Sequence, residues 1–167
     1  MLVHCSGIVG IQLVGSVDAE SIEELLSYHF KNPELLKQAL THPSILNESR
    51  KTRKAGNDLL ATVGDAAVNL AVAVVLYGKS GPLGPFLTSA KGDLTIERSK
   101  FVNNDKLAEF FEKTGLKQYL RSAFGQNLTE KSVRILAQTY EAIVGSIFLD
   151  SDYDNASGFV RRTMIDE

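Results

Sequence analysis

Two long apolar runs, each interrupted by a single acid, constrain this chain more than any other feature. Residues 59–76 carry Asp65, and residues 133–149 carry Glu141. Both runs are too long for ordinary strands and place apolar side chains on nearly every helical face, the pattern of helices central to a domain. A carboxylate on such a helix is costly to bury unless it is hydrogen-bonded, paired or bound to a cation. One turn before Asp65, on the same face, stands Ala61, and three residues before Glu141 stands Gln138. A two-helix site for hard metal ions would want acids at all four places. This chain has two.

The rest of the sequence narrows the class. At 167 residues it reads as one domain, residues 20–167, preceded by an N-terminal arm, residues 1–19. The 44% hydrophobic content is enough for a sizeable core. A net charge of −2 gives no basic footprint for nucleic acid, although a local patch can hide in a neutral total. The single cysteine, Cys5, makes no intrachain disulfide, so a reducing intracellular compartment is expected. Residues 2–16 lack the basic start of a signal peptide and are too short to span a bilayer, so no membrane partner is expected.

Helical spacing recurs almost throughout, which predicts an all-α domain. Ser21 with Glu24 fits a capping box, and Asn32-Pro33 opens a second helix that His42-Pro43 ends. Long helices are predicted over residues 58–77 and 129–149, with others over 86–101 and from Asn103 or Asn104 to Gly115. A turn is expected at 125–127, and a last helix is capped by Asp154 or Asn155. Residues 47–57 form a polar loop containing Arg50, Lys51, Arg53 and Lys54. This run reads either as a solvated loop or as a phosphate-contacting RNA-binding patch.

Three stretches, in order, resemble the catalytic domain of ribonuclease III. They are FKNPELLKQALTHPS (30–44), NDLLATVGDAAVNLAVAVVLY (57–77) and ILAQTYEAIVGSIFLD (135–150), and the segment 92–121 between them also fits. The resemblance implies an all-α fold that dimerises and cuts double-stranded RNA. It also implies magnesium held by four carboxylates, two from each long helix. Asp65 and Glu141 match two of these catalytic and metal-binding positions. Ala61 and Gln138 occupy the other two, and a further signature acid falls at Asp58. Thr62 stands where the family has a bulky aromatic that helps lock the dimer. The family's usual C-terminal double-stranded-RNA-binding domain has no counterpart in these 167 residues.

These departures bear on chemistry. Magnesium demands octahedral oxygen coordination, and removing half of a coupled cluster rarely costs only a little. Gln138 is expected to offer a carbonyl oxygen without charge, and Asp58 to reach the site through water. Magnesium binding is therefore expected to be weak or absent. In the structural alternative, Asp65 and Glu141 are satisfied acids paired with Arg98 or Arg134. His42 reads as a cap or packing residue. His4 and His29 have no metal spacing, and Cys5 has no basic cluster to activate it.

The expectation is a ribonuclease III-like protein of double-stranded-RNA metabolism, impaired or inactive in cleavage. It would act as an RNA-associated or assembly subunit on double-stranded or structured RNA, as a homodimer or with a related active subunit. One rival is an active metal-dependent endoribonuclease using Asp58, Asp65, Gln138 and Glu141. Another is an interaction module with no RNA contact.

Overall fold

The computed structural model describes residues 16–46, 56–80, 91–123 and 132–165. The described residues form seven α-helices: α1 (Ser16–Leu26), α2 (Pro33–Ala39), α3 (Asp58–Ser80), α4 (Lys91–Phe101), α5 (Asn104–Lys113), α6 (Val133–Asp150) and α7 (Tyr153–Met164). No strand occurs among them. One isolated bridge pairs Thr41 with Arg121. The all-α architecture with two long central apolar helices is thus the one expected from the sequence.

The centre is the crossing of α3 and α6. Leu136, Ala137, Tyr140, Ile143, Val144 and Ile147 of α6 are buried, and α3 contributes Leu60, Ala67, Val68, Ala71 and Val72. Two glycines let the backbones touch. A Cβ on Gly64 would lie 1.7 Å from the Glu141 carbonyl oxygen, and one on Gly145 would lie 2.1 Å from that of Leu60. Around this pair, α5 and α7 supply aromatic packing. The Tyr140 ring centroid lies 6.4 Å from that of Phe110 and 5.8 Å from that of Phe159. The Tyr140 hydroxyl bonds Thr163 Oγ1 at 2.6 Å, so its polar end is satisfied inside the core.

Local signals set most boundaries. Asn32 caps α2 by accepting from Glu34 N, with Pro33 as the first helical residue. Asn103 caps α5 by accepting from Lys106 N, and Gly115 takes the left-handed φ of 72° just past its end. Asp150 closes α6 against the α1–α2 connection. It accepts from the Tyr28 hydroxyl, Lys31 N and Asn32 N, each at 2.8 Å.

Two predicted starts differ from the structure. α1 begins at Ser16, so Ser21 lies inside it. α7 is capped by Asp152, which accepts from Asn155 N, and not by Asp154 or Asn155. α6 is found at Val133–Asp150 and α4 at Lys91–Phe101, and the expected helical residues 129–131 and 86–90 lie outside the described residues. The expected turn at 125–127 and the basic run Arg50, Lys51, Arg53 and Lys54 lie outside the described residues, as do His4 and Cys5.

α3 also stands apart in composition. Over Asp58–Gly78 its mean hydropathy is 2.1, enough by length and composition to cross a bilayer. In this fold one face of it is core. The other face exposes Leu59, Leu70, Val74 and Tyr77 at helical spacing.

Candidate functional site

Side chains of α3 and α6 and the start of α5 line an open cleft of about 470 Å³. α3 places Asp58, Ala61, Thr62 and Asp65 on one wall, residues three or four apart and so on one helical face. α6 places Arg134, Gln138 and Glu141 opposite by the same spacing, and Asn104 stands at the rim. The structure therefore brings Asp58, Asp65, Gln138 and Glu141 into one cleft, with Ala61 beside them.

Each acid has a distinct environment. Asp58 Oδ1 accepts from Gln138 Nε2 at 2.8 Å. Asp65 Oδ1 accepts from Asn69 Nδ2 at 2.8 Å, and the same nitrogen also bonds the Asp65 carbonyl oxygen at 2.8 Å. Arg98 Nη1 on α4 donates to Asn69 Oδ1 at 2.5 Å, so a cation supports Asp65 through one amide. Glu141 is half-buried. Burial first, and the negative charge of Asp65 second, push its carboxyl up to about 7. Both carboxylates line the same cleft.

Gln138 turns its amide nitrogen into the cleft wall, toward Asp58. Its Nε2 also donates to Asn57 Oδ1, at 2.9 Å. Thr62 donates its hydroxyl back to the Asp58 carbonyl oxygen at 3.0 Å, so only its methyl is left to face outward. Arg98 serves the site indirectly through Asn69, and Arg134 lines the cleft itself.

His42, at the end of the α2 connection, bonds Ser44 Oγ through Nδ1 at 2.8 Å and accepts from Ser44 N. Burial lowers its pKa, against the opposing charge of Asp58. This is the local packing role expected of it. His29 is exposed and bonds Glu23 at 2.9 Å.

The four-carboxylate magnesium cluster implied by the resemblance is not matched by these residues. Ala61 offers no donor, and Gln138 offers no charge, its Nε2 being committed to Asn57 and Asp58. Among the described residues no group of three His, Cys, Asp or Glu side chains is placed to hold a metal ion. Asp65 and Glu141 remain as a two-acid remnant.

Sequence reasoning missed Asn57, Asn69 and Asn104. For Asn69 a signal existed, since it lies four residues after Asp65 on the same face. For Asn57 the contacts are made to residues distant in sequence, Ala39 and Gln138.

Comparison with known proteins gives the cleft its context. The Ribonuclease-III-like family matches residues 32–167. Ribonuclease 3 of Bdellovibrio bacteriovorus is 36% identical over 148 residues, covering 87% of this chain and 60% of that protein. Ribonuclease 3 of Listeria monocytogenes is 33% identical over 147 residues, covering 87% of this chain and 62% of that protein. The chain thus spans about 60% of the length of these relatives. The nuclease domain of ribonuclease III from Campylobacter jejuni superposes with a TM-score of 0.69 at 30% identity, covering 86% of this chain and 91% of that one.

Proposed function

Because this chain belongs to the ribonuclease III family, we propose that it works on double-stranded or structured RNA as an RNA-associated, dimer-forming subunit with impaired or absent cleavage. The donor set of the cleft carries this reading. α3 supplies Asp58 and Asp65, α6 supplies Glu141, and Ala61 and Gln138 stand where two further acids would complete the cluster. Magnesium binding in this reading is weak or absent.

RNA association does not depend on those acids. A-form duplex is recognised mostly by shape and by contacts to phosphates and 2′-hydroxyls. Arg134 and Asn104 at the cleft rim carry donors suited to phosphate, and the run Arg50 to Lys54 adds positive charge by sequence.

The exposed apolar stripe of α3 supports an interface with a second helical domain. A ribonuclease III nuclease domain from Campylobacter jejuni has a region described as involved in dimer formation. The partner here is a second copy of the chain, or a related active subunit.

One observation favours a second reading, a metal-dependent endoribonuclease with a remodelled site. Glu141 is held near 7 beside Asp65, an under-neutralised pair whose repulsion a divalent cation would relieve.

Two assays on long duplex RNA separate the readings. The expected outcome is a gel shift in EDTA and intact RNA after incubation with magnesium or manganese. Absence of any shift overturns the RNA association, and multiple-turnover cleavage replaces the first reading with the second.

A further inference from the structure

Asn57 is fully buried at the entrance to α3, and its orientation is fixed. Its Nδ2 donates to the Ala39 carbonyl oxygen at 3.1 Å and approaches Thr139 Oγ1 at 3.5 Å. A carbonyl only accepts, so the Asn57 amide cannot flip without losing that bond. Its Oδ1 therefore faces α6. Beside it lies Asp58, whose carboxylate also only accepts. One atom of α6 meets both: Gln138 Nε2, 2.9 Å from Asn57 Oδ1 and 2.8 Å from Asp58 Oδ1.

Two acceptors converging on one point require either a group with two hydrogens or a cation. We infer that the Gln138 side-chain amide takes a cation's place between Asp58 and Asn57, so that this wall of the cleft keeps its shape with no divalent ion. The opposite end is held by the same chemistry. The Asn69 amide, backed by Arg98, donates to Asp65. Both α3 carboxylates are thus met by amide N–H groups belonging to the chain.

The inference rests on the family reading of the cleft, but it concerns what holds the cleft together and not what the cleft does to RNA. It has a specific consequence. An aspartate at position 138 would aim a second carboxylate at Asp58 and at an Asn57 oxygen that cannot turn away. That arrangement needs a cation. The single change Gln138→Asp should convert a metal-indifferent fold into a metal-dependent one.

The test is thermal unfolding of the full chain above neutral pH, in EDTA and in millimolar Mg2+ or Mn2+. The wild-type Tm should be the same in all three. Gln138→Ala should lower Tm by roughly 4–8 °C, because it removes two hydrogen bonds, one to a charge, and no ion should restore it. Gln138→Asp should lose at least as much in EDTA and recover most of the loss with Mg2+ or Mn2+. If that variant folds under neither condition, Asp58→Asn in the same background, which exchanges amide and carboxylate, should restore folding without an ion.

A wild-type Tm that rises by about 3 °C or more with either ion overturns the inference. So does Gln138→Ala with an unchanged Tm, Gln138→Asp as stable as wild type in EDTA, or an exchanged pair that stays unfolded. Unfolding temperatures carry these outcomes, so they stand apart from the gel shift and cleavage that decide the proposed function.

Discussion

Glu141 is the residue at which the fold acts most directly on an ionisable group. Its pKa rises from 4.5 to about 7, through burial and then through Asp65. An acid with a higher pKa in the folded chain binds protons more tightly when folded. Its contribution to stability is therefore most favourable below about 4.5 and is lost as pH rises through about 7. With an allowance for its partial exposure, the loss is about 1–2 kcal/mol. Glu141→Gln should remove that slope and be more stable than wild type above neutral pH. Urea denaturation of both proteins at a series of pH values measures this, and a pH-independent difference between them would contradict it. Asp65, Gln138 and Glu141 were legible in the sequence, because polar residues in apolar runs declare themselves, and Asp58 was legible through the family resemblance of residues 57–77. The direction of the Gln138 amide was not. It depends on Asn57, which is distant in sequence, and through Asn57 on the Ala39 carbonyl.

At the scale of elements, the crossing of α3 and α6 positions the cleft, and the two glycines set its depth. Gly64→Ala puts a methyl group where the Glu141 carbonyl oxygen now lies, and no flexible side chain can yield to it. The helices must separate, at a cost of about 3 kcal/mol, the upper end of the usual range for overpacking. Chemical denaturation measures the loss. Gly78→Ala, in open space on the same helix, serves as the control and should cost nothing. The long helices were readable because apolar periodicity accumulates over many residues. Their approach was not, since a glycine in a helix signals close packing only once its neighbour is known. The starts of α1 and α7 were misread for a related reason. Several capping residues stand side by side there, as with Asp152, Asp154 and Asn155, and local sequence does not choose among them.

At the scale of the whole molecule, the stripe from Leu59 to Tyr77 is an apolar face that the described residues leave exposed. Leu59 is 68% exposed and Tyr77 66%. A homodimer built on this face should be weaker than one locked by an aromatic at position 62, because the Thr62 hydroxyl is tied to its own helix. Leu70→Glu with Tyr77→Glu should make the chain monomeric in sedimentation equilibrium without unfolding it. A wild-type chain already monomeric at high micromolar concentration would contradict the homodimer and direct attention to an active partner subunit. The central claim, however, concerns the cleft, and duplex-RNA cleavage in magnesium by the wild type and by the Ala61→Glu/Gln138→Asp double variant tests it most directly. Both positions line the cleft beside Asp65 and Glu141, so the new carboxylates would point into it. The wild type should leave the RNA intact, either single change should do little, and the double variant should show at least trace cleavage. Wild-type cleavage at a rate ordinary for an enzyme, about 1 per second or faster, would contradict the account.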